Sequence, residues 1–361
     1  MSELWEPASP AEFADAVRSA PAVLAVGAQT KPRLSLAPGF VRLGTAKLTG
    51  MLDYDASEFT FTALAGTPVR EIAAALAEKG QYLPFDPALS GAGATLGGTI
   101  AAGLSGPGRF RFGGVRDFIL GVRFADGEGR LLRLGGKVVK NAAGFDVPKF
   151  LVGSLGRFGA VLEATFKVFP RPASFVTVRV PVRGLEAMAK VLAAAGNTGW
   201  ELDALEAAPA EAAIYARIGG PGAAPAAIAG EMGRRWDAAP LPSAEADTFW
   251  EAAAEFGWAH RGGILAKIPM TPGRLPQVAG VAAGLPEARL RIGGGGQAAY
   301  FSLPAGAPAG ALEARLQAIG AGGLTLRGDA PLWLGVHPRF AVQRAVKAAF
   351  DPHNRFPPLE S

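Results

Sequence analysis

Between Pro84 and Pro172 the chain turns on glycine again and again: PFDPALSGAGATLGGTIAAGLSGPGRFRFGGVRDFILGVRFADGEGR, and then GGKVVKNAAGFDVPKFLVGSLGRFGAVLEATFKVFPRP. Glycine admits positive φ without a Cβ penalty and lets the main chain come close to whatever lies beside it. Successive amides in such a turn form a concave donor site suited to phosphate. The local charge agrees with that. From Arg109 to Arg171 there are twelve Lys/Arg against five Asp/Glu, a net +7 in a chain whose total is +5. A phosphate-bearing small molecule is therefore the first ligand class to expect.

Other ligand classes fit less well. The basic residues are interleaved with strand-forming apolar ones, and no Lys/Arg run with stacking aromatics suggests a nucleic-acid surface. With no cysteine in 361 residues, disulfides, thiolate metal sites, cysteinyl cofactors and iron–sulfur ligation within this chain are excluded. No H-x-x-x-H pair points to a divalent metal. The N-terminus, MSELWEPASPAEFADAVRSA, lacks the apolar run of a secretory leader. No stretch approaches the roughly 20 apolar residues of a spanning helix. The expectation is a cytoplasmic protein without direct membrane insertion, or one held at the inner membrane through partners.

Periodicity and capping signals place the elements. A short helix is expected over 10–19, then a strand over 22–26 running into the tight turn Gly27-Ala28-Gln29-Thr30-Lys31-Pro32. Thr67-Pro68 predicts a helix start, with Thr67 as N-cap and Pro68 at the first helical position. Phe118–Ala125 and Arg130–Leu134 predict a hairpin around Asp126-Gly127-Glu128-Gly129. Asp146 predicts a cap for a helix over 147–155, and alternation after Gly159 predicts a half-buried strand. Pro170-Arg171-Pro172 then breaks the chain. Beyond it strands over 174–182 and 214–218 and helices over 185–195 and 223–236 suggest an α+β unit with an antiparallel sheet. A last helix over 338–350 leads into a Pro-rich tail. The expected division is 1–172, 173–335 and 336–361, with the last segment packing back on the first.

A dinucleotide-binding βαβ unit fits poorly, because Gly91-Ala92-Gly93 follows a Pro-rich loop and hairpins come next. The ordered series is more specific. Leu83-Pro84-Phe85-Asp86-Pro87, Thr95-Leu96-Gly97-Gly98-Thr99-Ile100-Ala101, Val115-Arg116-Asp117-Phe118-Ile119-Leu120-Gly121, Val138-Val139-Lys140-Asn141-Ala142-Ala143-Gly144-Phe145-Asp146 and Gly153-Ser154-Leu155-Gly156-Arg157-Phe158-Gly159 stand in that order. So does the ending Lys347-Ala348-Ala349-Phe350-Asp351-Pro352. This series resembles the FAD-linked oxidase superfamily of the vanillyl-alcohol-oxidase type, with its PCMH-type FAD-binding domain. Within that superfamily it resembles the FAD-binding subunits of bacterial glycolate oxidase.

The resemblance implies an α+β fold: a two-subdomain FAD-binding domain followed by a smaller α+β cap domain with an antiparallel sheet. It implies that Gly27, Ala28, Gln29, Thr30 and Lys31 hold the pyrophosphate from one side. Backbone amides over Thr95, Gly97, Gly98 and Thr99 would hold it from the other. Gly103, Arg109 and Gly113 would follow the cofactor, Lys140, Asn141 and Gly144 would join them, and Val161 would set its main chain near a ring of FAD. All three histidines lie outside this domain and Cys is absent, so the flavin would be non-covalent.

The implied function is FAD-dependent oxidation of glycolate to glyoxylate within a complex. The implied partners are a larger paralogous flavoprotein subunit and an iron–sulfur subunit. A self-sufficient 2-hydroxy-acid dehydrogenase and a flavin-free interaction subunit of the same fold are the alternatives. No catalytic residue can be assigned from sequence. Arg261, Lys267, His337 and Arg339 are candidates for a carboxylate and a base, with His353 in the tail. Each also reads as a cap, surface or interface residue. Gly293–Gly296 reads as a turn rather than a second nucleotide loop.

Overall fold

The computed structural model describes residues 3–136 and 146–360, and within them the chain forms two compact units. One comprises Met1–Ser105, Gly114–Arg171 and Arg339–Ser361; the other comprises Gly106–Gly113 and Pro172–Pro338. The eight residues Gly106–Gly113 thus leave the first unit by sequence and join the second by contact.

In the first unit the opening helix spans Pro10–Ser19, capped by the Ser9 side chain, which accepts from the Glu12 amide. Its buried face (Phe13, Ala16, Val17) meets Val23, Leu43, Leu48, Ala125, Leu162 and Phe356 in one core. Leu4–Trp5, Val41–Gly44 and Val23–Val26 form a small parallel sheet among the described residues. A five-stranded antiparallel sheet carries Ala160–Lys167 at its centre, between Thr60–Leu64 and Ile119–Ala125.

That central strand is buried on both faces rather than half-buried as the alternation suggested. Its polar positions are satisfied instead of solvated. Glu163 takes Arg123 at 2.6 Å and Arg133 at 2.8 Å, and Thr165 shares a 2.8 Å hydrogen bond with Thr62. Buried polar groups are tolerated when paired this way. One capping expectation is also revised. The helix after Thr67 runs Val69–Ala77 with Pro68 as its N-cap, because the Thr67 hydroxyl instead donates to Leu64 O at 2.7 Å and accepts from the Gly50 amide. Asp146 does cap its helix, which stops at Leu151.

The C-terminal helix spans Ala341–Phe350, and it and its tail are part of the first unit. The Gly127 amide donates to Phe350 O at 2.7 Å and the Val23 amide to Arg355 O at 2.7 Å. Lys347 Nζ reaches Arg157 O, Asp351 Oδ2 and Phe356 O at 2.9, 2.7 and 3.1 Å.

The second unit is built on a nine-stranded, wholly antiparallel sheet among the described residues. Its apolar core lies on one face, where Leu205, Ala207, Ile292, Ala299, Phe301, Ala266 and Ile268 meet helices Leu185–Gly196 and Leu275–Ala283. Side chains alternate across a strand, so the residues between these project to the other face: Glu206, Arg291, Tyr300 and Lys267. No helix is long and apolar enough to cross a membrane among the described residues.

Candidate functional site: a glycine-walled cleft

Three backbone segments of the first unit line an open cleft of roughly 730 Å³, solvent-open space included: the turn after strand Val23–Val26, the start of helix Leu96–Ala102, and the loop Ser154–Val161. Gly27, Ala28, Gln29, Thr30 and Lys31 line the first wall and Thr95, Gly97 and Gly98 the second, with Val161 on the third. Sequence reasoning therefore named residues on all three walls. It missed Thr45, Ala101, Ala102, Ser154, Leu155, Gly156 and Gly159. The run from Gly153 to Gly159 was quoted as a motif, and its two glycine turns were the signal that could have located these last positions.

The walls stand close because side chains are missing where they meet. A Cβ on Gly27 would collide with Thr95 Oγ1, and one on Gly97 would fall 2.8 Å from Ala65 Cβ. On the first wall Gln29 is held at φ +54°, and on the third Leu155 and Gly156 are at +53° and +70°. Two non-glycine residues in the left-handed region beside one cleft are uncommon. Such conformations cost on the order of 1 kcal/mol each and cluster at ligand clamps.

The polar character of the cleft suits an anion. No Asp or Glu lines it, and Lys31, itself 6% exposed, brings a positive charge. The amides of Ala28, Gln29 and Thr30 donate to no other described residue. The second wall behaves differently from expectation. Leu96 N donates to Thr67 O, Gly97 N to Ala65 O, Gly98 N to Thr95 Oγ1 and Thr99 N to Thr95 O. Those amides are already satisfied, so this wall supplies shape and close approach, while the Ala28–Thr30 turn supplies donors. Donors without a partner among the described residues on one side, bare backbone opposite and apolar Val26, Leu34 and Val161 around them are the features a pyrophosphate-bearing ligand calls for.

Other sequence-predicted positions lie elsewhere. Thr99 is 2% exposed inside its helix and does not line the cleft; its Oγ1 has no hydrogen-bond partner among the described residues. Gly103 ends that helix at φ +58°, where a Cβ would fall 2.9 Å from Gly153 Cα; it shapes a helix end. Arg109 and Gly113 belong to the second unit, at the two ends of the helical turn Arg109–Phe112. Lys140, Asn141 and Gly144 lie outside the described residues. Arg261, His337, Arg339 and His353 are exposed. Lys267 sits on the polar face of the second unit's sheet. Among the described residues no cluster of His, Asp and Glu could hold a metal ion.

Comparison with known proteins agrees with this geometry. A family model described as an FAD binding domain matches residues 3–135. The glycolate oxidase subunit GlcE of Escherichia coli K12 is 45% identical over 142 residues, covering 39% of this chain and 41% of that protein. A D-2-hydroxyglutarate dehydrogenase of Xanthomonas citri is 33% identical over 147 residues, covering 40% and 31%. The glycolate oxidase subunit GlcD of Bacillus subtilis is 31% identical over 142 residues, covering 39% and 30%. The matches thus span about two fifths of this chain and 30–41% of each relative's own length.

A solved structure of alkyldihydroxyacetonephosphate synthase superposes with a TM-score of 0.71 over 98% of this chain and 75% of that one. At 16% identity this shows a shared α+β fold. Residues 3–135 of this chain thus match an FAD binding domain, with FAD as the cofactor.

Proposed function

We propose that this protein is the FAD-binding subunit of a glycolate oxidase complex, in which glycolate becomes glyoxylate. Its electrons would pass through a larger paralogous flavoprotein subunit and an iron–sulfur subunit. The observation that carries this reading is the cleft: walled by glycine and, among the described residues, free of acids and with no partner for the amides of Ala28, Gln29 and Thr30. Two of its three walls lie within residues 3–135, which match an FAD binding domain. Within it Gly27, Ala28, Gln29, Thr30 and Lys31 bind the pyrophosphate, while Thr95, Gly97 and Gly98 keep the opposite wall bare. Val161 contributes main chain beside a ring. Binding is non-covalent, since no Cys exists and the histidines fall at 260, 337 and 353.

Bound FAD supplies a two-electron acceptor for the carbon–hydrogen bond next to a carboxylate. The chain's own residues hold the cofactor, exclude water from the pyrophosphate and offset its negative charge with amides and Lys31. The protein is read as cytoplasmic, peripheral to the inner membrane only through its partners. A second reading, a self-sufficient 2-hydroxy-acid dehydrogenase, draws support from relatives named as D-2-hydroxyglutarate and D-lactate dehydrogenases. Glycolate-dependent reduction of a dye by the purified single chain favours the second reading; activity only after partner subunits are added favours the first.

The visible spectrum of the purified chain, with acid release of the chromophore, tests the cofactor assignment. Flavin bands and releasable FAD are expected. A folded, colourless chain unable to take up FAD overturns the reading. Gly98→Asp puts a carboxylate into an acid-free cleft and should remove the flavin from a folded protein.

A further inference from the structure

Beside the glycine-walled cleft, the first unit carries a second, open groove of roughly 1350 Å³, solvent-open space included. Pro32, Leu36, Pro38 and Phe40 line it from the loop after the phosphate turn, and Val41 and Arg42 from the strand Val41–Gly44. Its apolar surface is uncovered: Leu36 is 54% exposed. Side chains alternate across a strand, so Leu43 enters the core while Arg42 takes the opposite face, in register with Leu4 and Leu24. Arg42 is half-buried there. Its Nε is buried without a hydrogen-bond partner among the described residues, and its guanidinium forms no ion pair with any of them.

A guanidinium that gives up part of its hydration without gaining an acceptor is unfavourable, and an anion in the groove relieves it. One negative charge is enough. Arg42 is the only Lys or Arg among the described residues lining the groove, and a second negative charge would meet Glu3, which lines it too and pairs with no described cation. The apolar walls call for an apolar body on that anion. Gln29 and Ser35 line this groove and the cofactor cleft alike. Gln29, held at φ +54°, belongs to the turn whose amides have no acceptor among the described residues. A ligand that fixes this turn from the groove preorganises it for the cleft, and the two occupants are then linked reciprocally.

We propose that this groove is an effector site for a small apolar monocarboxylate, held through Arg42, and that its occupancy slows the loss of FAD from the neighbouring cleft. The carboxylate pairs with the guanidinium, and the hydrocarbon body lies against Leu36, Phe40 and Pro32. The site stands whether or not the chain serves a glycolate oxidase.

Calorimetric titration of the full-length, FAD-loaded chain with isocaproate, which has no hydroxyl to oxidise, tests it. Wild type should bind, and Arg42→Gln should weaken binding by about tenfold or more with FAD content unchanged. Arg42→Lys should keep most of the affinity, and Leu36→Ser should lose about threefold. Glutarate, a dianion of similar length, should bind more weakly than isocaproate, and Glu3→Gln should narrow that gap. Release of FAD on dilution, followed by flavin fluorescence, should slow about fivefold with isocaproate in wild type and stay unchanged in Arg42→Gln. No binding, or binding that Arg42→Gln leaves intact, overturns the site. Isocaproate that expels FAD would make the groove part of the cofactor cleft and overturns it as well. Arg42-dependent binding with no change in FAD release overturns the coupling.

Discussion

Gly295 has no side chain because the ring of Phe110 occupies the place where its Cβ would be. These residues come from opposite halves of the sequence, and their contact seats the segment that carries Arg109. Gly295→Ala therefore forces two costs at once: a methyl into a filled space, and an L-residue at φ +67°. Overpacking costs about 1–3 kcal/mol and the left-handed conformation about 1 kcal/mol more. Thermal unfolding should show a loss of roughly 2–4 kcal/mol. Gly306→Ala separates the two, since Gly306 has φ +81° but nothing near its Cβ position; it should lose only about 1 kcal/mol. Equal losses in the two variants would refute the packing argument.

Lys347 is a buried cation that holds the C-terminal tail. It donates to Asp351 and to the carbonyls of Arg157 and Phe356, and Asp351 in turn accepts the Arg355 and Phe356 amides. Lys347→Met strands a buried carboxylate and two carbonyls. A loss of about 3–5 kcal/mol is expected in urea unfolding. Lys347→Met combined with Asp351→Asn should recover part of that loss, because the buried negative charge goes too. No recovery would mean that the amides, not the ion pair, organise the tail.

Glu206 makes stability depend on pH in a set direction. Folded, it keeps its proton up to about pH 8; unfolded, it loses it near 4.5. The folded state therefore binds more protons across that window, and stability falls as pH rises from about 4.5 to about 8. Lys267 acts oppositely at higher pH. Its folded value near 8 lies below its unfolded 10.5, so the unfolded state binds more protons and stability rises across that range. Glu206→Gln keeps an acceptor for the Gly294 amide and should abolish the first slope. Urea unfolding at several pH values measures it, and parallel curves for wild type and variant would contradict the assignment.

Thr95 joins two walls of the cleft. Its Oγ1 accepts the Gly98 amide at 3.2 Å and fills the space that Gly27 leaves open. Thr95→Ala should cost about 1 kcal/mol, the usual worth of an N-cap, and weaken FAD retention; Thr95→Ser should restore most of both. If Thr95→Ser bound flavin no better than Thr95→Ala, the hydroxyl would not be what shapes the wall.

What could be read from the chain alone was local. Pro10–Ser19 with its Ser9 cap, the hairpin of Ile119–Ala125 and Leu131–Gly135, the Asp146 cap and the glycine turns at Gly27 and Gly97 follow from short-range sterics and capping chemistry. Such rules act within a few residues. The cleft was legible to the same extent, because each of its walls is a local motif.

Tertiary structure decided the rest. Thr67 looked like a cap, yet its hydroxyl found Gly50, seventeen positions away. Arg109 stands between two flavin-family motifs in the sequence, yet contact placed it in the second unit. Glu206 is hidden in Leu202–Ala208, a strand buried along its whole length. It shares a sheet face with Tyr300 and Lys267 only because antiparallel register sets Arg291, Tyr300 and Lys267 side by side. Which strands pair is settled by burying one continuous apolar face. The polar face opposite inherits its neighbours from that choice, and no short stretch of sequence records them.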